Sequence, residues 1–364
     1  QACKSTTQLM WSMGFISLVI TAFVYACKYW ILHGVFGQIE ADVMHHADVY
    51  LLIVTASIPF IALYNGGAAV FRAMGNSEVS MKVSLLMNAI NVSGNAILIY
   101  GFHCGTEGVA IPTLVSRFVA AFIIIKLLLK DKWSLHLERT YRFNPDWSMI
   151  RKILSVGIPN GLENSMFQLG KVLVLSLVST FGTYAIAANA VSNVITLFSI
   201  LPGQAICLAV TTVIARCVGA GDYEQAKYYN KKLILLTHIG MAITIFIVFI
   251  TLPFILKVYN LSEAASEATR HIIWFHGFCA ILIWAESFTL PATFRACGDA
   301  KACMIISTVS MWIFRVGASY ILGKNLGLGV FGVWVAMIID WAFRSLLFGI
   351  RYFSGKWKKH ALVS

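Results

Sequence analysis

Long apolar stretches separated by short polar ones run through the whole chain. Each can cross a bilayer as a helix, which takes roughly 20 mostly apolar residues because the hydrocarbon core is about 30 Å thick. None alternates polar and apolar residues as the wall of a β-barrel must. The pattern predicts about ten transmembrane helices, at roughly 9–32, 47–70, 80–102, 107–130, 154–180, 184–214, 233–257, 268–292, 302–322 and 328–352.

Composition also predicts an all-α integral membrane protein. Hydrophobic residues make up 59% of the 364 residues and charged residues 12%. A soluble domain has roughly 45–50% apolar and 25% charged residues, so this chain has too few charges to cover a water-exposed surface. The composition therefore excludes an ordinary soluble domain.

The net charge of +12 could indicate nucleic-acid binding, but the positions of the cations point to a membrane instead. The predicted outer segments hold only Lys257, Arg270 and Lys324, whereas most other basic residues fall on the opposite side. Cytoplasmic loops of membrane proteins carry the excess of Lys and Arg. We therefore expect both termini in the cytoplasm, a plasma (bacterial cytoplasmic) membrane location, and no nucleic-acid partner.

An internal repeat is visible at a spacing of 223 to 224 residues. Phe71–Asn76 (FRAMGN) recurs as Phe294–Asp299 (FRACGD), and Gly105–Val109 recurs as Gly329–Val333. Residues 1–130 thus correspond to 225–354, and the predicted spans at 154–180 and 184–214 lack a counterpart in the first half. We expect a two-lobed (4 + 6) remnant of a 6 + 6 transporter with parallel repeats, lacking the first two helices. Its parts are a truncated N-terminal lobe, a cytoplasmic linker and a C-terminal lobe, at 1–130, 131–152 and 153–364.

Three motifs carry a resemblance to a known family. Gly157–Asn164 (GIPNGLEN) opens the second half, Arg216–Asp222 (RCVGAGD) follows the next span, and the FRAMGN and FRACGD turns are paired. Together they resemble the bacterial multidrug and toxic compound extrusion transporters, aligned to that family's third through twelfth helices. The resemblance implies an antiporter that exports small organic cations or drugs by alternating access, with H⁺ or Na⁺ as the coupling ion and no cofactor.

Two alternatives stay open. A flippase for a lipid-linked oligosaccharide or a lipid belongs to the same superfamily, and a non-transporting membrane scaffold is the other possibility. A cleft lined with several cations would favour the flippase, whereas acids and aromatic side chains would favour drug export. We expect small organic cations and membrane lipid as partners, and a monomer.

Polar residues follow one face of the span that starts at 154. Asn160, Asn164, Gln168 and Lys171 are spaced by three or four residues, and Glu163 lies beside Asn164. Such a stripe lines a cavity or bonds to another helix. Because ionisable groups inside a span are costly, we hypothesise that Glu163 binds a proton, Na⁺ or a cationic substrate in turn.

Other spans supply further candidates for the substrate and ion path: Asn189, Asn193, Glu286, Arg315, Asp340 and Arg344. The two asparagines lie one turn apart, and pairing across helices is favoured over pore lining. Asp340 and Arg344 are also one turn apart, which favours an ion pair. Arg315 has no acid within a turn on its own helix, so Glu286 on the preceding span is one candidate partner.

No enzyme motif is present in the sequence. It has no P-loop, HExxH or GxSxG pattern. Its eight cysteines form no CxxC pair, so no metal centre is predicted beyond the possible Na⁺ site at Glu163. We therefore expect a transporter and not an enzyme.

Overall fold

The computed structural model describes residues 2–30, 32 and 33, 41–138 and 145–360. Helices account for nearly all of this part of the chain, in which there is no strand. The α-helices are α1 Ala2–Trp30, α2 Ala41–Ala56, α3 Ile58–Ala73, α4 Ser77–Ala96, α5 Glu107–Leu128, α6 Trp147–Ser179, α7 Thr183–Gly219, α8 Tyr223–Tyr259, α9 Glu263–Trp284, α10 Leu290–Ala296, α11 Ala300–Ser310 and α12 Gly329–Phe353.

Several of these helices continue through π-helical or 3₁₀ turns. The π-helical turns are Ile97–Gly101 after α4, Ala285–Thr289 between α9 and α10, and Met311–Gly317 and Tyr320–Asn325 after α11. A 3₁₀ turn at Lys356–His360 follows α12. Proline explains two of the interruptions: Pro59 and Pro291 each stand in the first turn of the helix that follows the break.

The described residues contain nine segments that are long and apolar enough to cross a membrane. They coincide with nine of the ten predicted spans, with ends that differ by up to ten residues. The remaining predicted span, 154–180, is part of α6, which has 33 residues. Its polar stripe makes α6 less apolar than the other nine. The all-helical membrane fold predicted from the sequence is confirmed.

The chain forms two compact units, Gln1–Ile153 and Leu154–Ser364. In the first, α3, α4 and α5 enclose a core that contains Phe71, Ile124 and Leu128, all fully buried. Polar bonds join the same helices. Arg117 of α5 donates to the Ser57 hydroxyl (2.6 Å) where α2 ends, and such bonds between helices also hold other membrane bundles together.

The predicted linker overlaps the first unit. Its residues 139–144 lie outside the described residues. Trp133 packs edge-on against Phe71 with ring centroids 5.3 Å apart. The Asp146 carboxylate accepts bonds from the Lys4 ammonium (2.7 Å) and from the Met149 N–H at the start of α6. The Lys4 bond is the main cause that lowers the pKa of Asp146 to about 2. Helix α6 thus begins inside the range predicted as linker.

The second unit, built from α6 to α12, has two large buried apolar clusters and a smaller one between α7, α8 and α9. One large cluster contains Trp284, Trp334 and Trp341 with residues of α6 to α9 and α12. The other large cluster lies around Phe294 and Phe348, both fully buried. Large apolar side chains also cover the outside of this unit, as expected of helices that face lipid.

The two copies of the repeated motif have the same local geometry. In Phe71–Asn76 and in Phe294–Asp299 the last residue donates its N–H to the first residue's carbonyl, at 2.9 Å in both. Gly75 and Gly298 adopt φ values of 82° and 84°, a left-handed conformation that favours glycine. Cys217–Asp222 has the same bond at 2.9 Å. These segments are therefore one recurring helix-ending turn.

A second matched pair of turns lies 224 residues apart. Phe102 donates its N–H to the Ile97 carbonyl (3.2 Å), and Leu326 donates to the Ile321 carbonyl (2.9 Å). The residue after each donor has a positive φ, 52° and 71° respectively. The π-helical turns at the ends of these two spans are therefore also related by the repeat.

Candidate substrate cavity and its ion pairs

The second unit encloses a cavity of about 840 Å³, which we call the large cavity. It lies among α6, α7, α9, α10 and α12. Small-molecule sites commonly have volumes of roughly 300–1,000 Å³ and largely aromatic or apolar walls. The aromatic side chains that line this one are Phe167, Trp284, Phe288, Trp334 and Trp341, with His276 buried against the last two tryptophans.

A glycine sets the position of one wall. Trp284 packs so closely on Gly203 of α7 that a Cβ atom at that position would collide with the indole ring. Close approach of this kind requires a residue without a side chain. Gly203 therefore lets a large aromatic side chain lie flat against α7 at the edge of the cavity.

Among the described residues, the charged side chains that line the large cavity are all basic: Lys171, Arg295 and Arg315. The Lys171 Nζ lies 4.9 Å and the Arg315 Cζ 5.2 Å from the centroid of the Phe167 ring. An Arg315 N–H also points to the Met337 sulfur at 3.1 Å. Within the described part of the chain, neither Lys171 nor Arg315 has a carboxylate oxygen within 4 Å.

Glu163 lines a smaller cavity of about 200 Å³, called here the small cavity. One Arg295 nitrogen, Nη2, donates to both Glu163 oxygens, at 2.8 and 2.9 Å. Nη2 of Arg344 lies 3.9 Å from the same carboxylate. Glu163 is 8% exposed, so this buried negative charge is held by two guanidinium groups. Their presence disfavours the Na⁺ site predicted at Glu163, because a further cation there would meet two positive charges.

Asp340 and Arg344 do not form the contact ion pair predicted, although the Asp340 charge acts on Arg344 from a longer distance. Asp340 instead accepts a bond from the Ser310 hydroxyl at 2.5 Å. Arg344 donates to the Ser307 hydroxyl at 3.0 Å, and its guanidinium carbon lies 4.7 Å from the centroid of the Phe288 ring. Both side chains therefore bond to residues of neighbouring elements and not to each other along α12.

The predicted partnership of Glu286 with Arg315 is also wrong. Glu286 pairs with His238 of α8, whose Nε2 lies 3.0 Å from Oε1. The other ring nitrogen of His238 lies 2.6 Å from the Ile281 carbonyl oxygen. His238 falls inside the predicted span 233–257, so the rule that drew attention to Glu163 could have found it.

The polar stripe of α6 divides between the two cavities. Asn160 lines both, Lys171 lines the large cavity and Asn164 the small one. The Asn164 side chain also donates to the Asn160 carbonyl at 2.8 Å. Gln168 is exposed and lies outside the residues that line these cavities. The predicted stripe thus brings three of its four residues to a cavity wall.

The two asparagines of α7 combine both roles considered for them. The Asn193 side chain donates to the Asn189 backbone carbonyl at 2.7 Å and lines the large cavity. The Asn189 side chain accepts a bond from the Trp334 indole N–H at 3.1 Å. This bond joins α7 to α12 and fixes the edge of an aromatic wall.

Comparison with known proteins agrees with this fold. The family model described as MatE matches residues 1–97 and 159–321, so the chain belongs to the MatE family. This is a family of transporters and not of enzymes. The described residues include nine helices long and apolar enough to cross a membrane, and the chain is an integral membrane protein.

Two relatives and one solved structure illustrate the similarity. The "Probable multidrug resistance protein NorM" of Thermotoga maritima is 25% identical over 99% of this chain and 78% of its own length. The "Uncharacterized transporter YisQ" of Bacillus subtilis is 27% identical over 94% and 75%. A structure described as the outward-facing conformation of a multidrug resistance MATE family transporter of the MOP superfamily matches with a TM-score of 0.86 at 19% identity, over 97% of this chain and 80% of that one. At that identity the match shows the fold alone.

Proposed function

We propose that this protein exports amphipathic, drug-like compounds across the cytoplasmic membrane by alternating access, in exchange for protons. The observation that supports this most is the large cavity, whose volume and aromatic walls suit compounds of this size. Membership of the MatE family and a relative named as a probable multidrug resistance protein support the same function. The three basic side chains in the cavity wall meet the criterion for the flippase alternative, and the aromatic walls meet the criterion for drug export. Displacement of a bound anion by a lipid headgroup would decide between the two.

The His238–Glu286 pair is our choice for the proton site. The Ile281 carbonyl only accepts hydrogen bonds, so His238 Nδ1 carries a hydrogen. The 3.0 Å bond between Nε2 and the Glu286 carboxylate needs one more, on either group. With this proton bound, the pair has a total charge of zero. Releasing the proton breaks the bond and leaves the pair with a negative charge. Such a change of bonding and charge can bias one helix arrangement over another.

Glu163 suits this role less well. Protonating it would leave the Arg295 and Arg344 guanidinium groups without their shared counter-charge in a buried site. Removing one partner of a buried ion pair costs roughly 3–5 kcal/mol. We therefore assign Glu163 to holding α6 against α10 and α12, and the ion-coupling step to Glu286.

The test is a drug-accumulation assay. Cells that lack their own efflux pumps would express the chain and receive fluorescent drug-like compounds with positive, negative and zwitterionic groups, at two external pH values and with and without Na⁺. We expect lower accumulation of at least one class, dependent on pH and not on Na⁺. Equal accumulation with and without the chain would contradict export and favour the scaffold alternative.

Two variants address the coupling site. Glu286→Gln keeps the shape of the side chain but cannot release a proton, so export should lose its dependence on pH. Glu224→Gln is the matched control, since its carboxylate is 78% exposed and pairs with Lys227 on the surface. Export by Glu286→Gln that keeps the pH dependence of the wild type would rule out this site.

A further inference from the structure

The charges in the walls of the large cavity have a consequence for the substrate. Resting on the export function above, we propose that this cavity selects amphipathic organic anions, in which a carboxylate, sulfonate or phosphate is carried on an aromatic or aliphatic body. This class differs from the organic cations expected from the sequence.

The basic side chains in and around the cavity outnumber the acidic ones. Lys171, Arg295 and Arg315 line it, and Arg344 lines the adjoining small cavity. Their negative neighbours are Glu163, which pairs with Arg295, and Asp340, which interacts with both Arg315 and Arg344. Among the described residues, four basic side chains thus have two acidic side chains nearby to balance their charge.

Lys171 and Arg315 form the more open part of this excess. Both lie against the Phe167 ring, at 4.9 and 5.2 Å from its centroid, so two like charges are held close together. A ring contact compensates only part of the charge of an ammonium or guanidinium group. An anion bound between them would reduce their repulsion and gain two charge-assisted hydrogen bonds.

The arginines of the small cavity also have unused donors. Within the described part of the chain, Nε and Nη1 of Arg344 and Nε of Arg295 are buried and have no hydrogen-bond partner. The Arg344 side chain is only 4% exposed. Buried donors of this kind are normally satisfied. Arg295 lines both cavities, so its guanidinium group can donate to acceptor atoms of a ligand in either one.

The three acids nearest the cavities each have a bonding partner, while Glu286 Oε2 and Asp340 Oδ2 are buried without one among the described residues. Glu163 is bound by Arg295, Asp340 by Ser310 and Glu286 by His238, and no described acid lines the large cavity. The remaining wall, with Trp284, Trp334 and other aromatic side chains, suits the apolar body of the ligand.

The test compares two probes with one body. A pyrene with a butyl chain ends either in a sulfonate or in a trimethylammonium group, so both keep their charge at all working pH values. Binding to the purified full chain in dodecyl maltoside would be measured by equilibrium dialysis. We expect the sulfonate to bind at least about tenfold more tightly than the ammonium probe, the equivalent of one lost contact to a charged group.

Variants locate the preference. Lys171→Gln and Arg315→Gln should each weaken sulfonate binding about tenfold, whereas Lys171→Arg should retain it. The matched control is Lys232→Gln, because Lys232 lies 5.1 Å from the centroid of the Tyr228 ring one turn away but does not line the cavity. This control should bind the sulfonate as the wild type does.

Competition identifies the source of the anion. Displacement of the sulfonate probe by naphthalene-2-sulfonate supports small soluble anions, and displacement only by phosphatidylglycerol in mixed micelles supports a lipid headgroup. If neither competes, or if the ammonium probe binds as tightly as the sulfonate in every variant, the anion preference is overturned. That result would leave export itself standing, since export fails only if the wild-type chain changes no accumulation in cells.

Discussion

Replacing Glu163 by Gln tests the buried charge cluster that Glu163 forms with Arg295 and Arg344. The change removes the negative charge but keeps the side-chain volume. It leaves Arg344, whose side chain is 4% exposed, and Arg295, at 26%, without their carboxylate. We expect a loss of about 3–5 kcal/mol in the free energy of unfolding, the usual cost of breaking a buried ion pair from one side.

Equilibrium unfolding in mixtures of dodecyl maltoside and SDS, followed by tryptophan fluorescence, would measure this loss. The double variant Glu163→Gln/Arg295→Gln should be less destabilised than the sum of the two single variants, because it removes both charges of the pair. Glu224→Gln, which alters an exposed carboxylate, should change little. If Glu163→Gln unfolds at the same SDS fraction as Glu224→Gln, the pair does not stabilise the unit and the reasoning fails.

Three further predictions concern single contacts. Gly203→Ala should push the Trp284 indole into the large cavity, lowering stability by about 1–3 kcal/mol and weakening pyrene binding; unchanged binding would contradict the packing described. Asn91→Val removes a 3.0 Å bond to a threonine of α5 and a 3.3 Å bond from Asn95, at about 0.6 kcal/mol each in the same unfolding assay, so a gain in stability would count against it. The carboxyl of Asp146, followed by isotope-edited infrared spectroscopy, should titrate near pH 2 and move up toward 3.8 in Lys4→Gln. Because folding lowers its pKa, the stabilisation by this pair is present above pH 3.8 and is lost as the pH falls toward 2.

The sequence was sufficient for most of the fold because the membrane imposes a simple pattern. Helix length and apolarity follow from bilayer thickness, so nine of the predicted spans reappear as helices that could cross a membrane. Span 47–70 shows the limit. It is two helices, α2 and α3, which separate at Ser57 just before Pro59, since proline cannot continue the backbone bonding of the preceding helix.

The sequence indicated which residues belong to the candidate site better than it indicated their bonding partners. The cost of ionisable groups in a span drew attention to Glu163, which is buried, to Arg315, which lines the large cavity, and to Glu286, whose side chain is 31% exposed. Their partners come from other helices, and spacing within one helix cannot indicate these. For that reason the predicted contact between Asp340 and Arg344 does not form. Asp340 bonds to Ser310 and Arg344 to Ser307, both on α11.

The sign of the net charge in the cavity walls could not be predicted from the sequence either. The polar stripe of α6 indicated a wall, but Arg295 lies in the repeated turn motif and gave no sign of facing a ligand. Its side chain lines the large cavity from α10. Only the folded unit shows that basic groups exceed acidic ones there.

Exchange of substrate for protons is tested most directly in proteoliposomes that contain the full chain. The vesicles would be loaded with the pyrene sulfonate and the pH dye pyranine, with valinomycin and potassium present to remove the membrane potential, and then diluted. We predict that departure of the sulfonate acidifies the interior in wild-type vesicles, and that neither acidification nor its pH dependence occurs with Glu286→Gln. Sulfonate that leaves the wild-type vesicles without any change of internal pH, or that does not leave faster than from protein-free vesicles, would contradict this account.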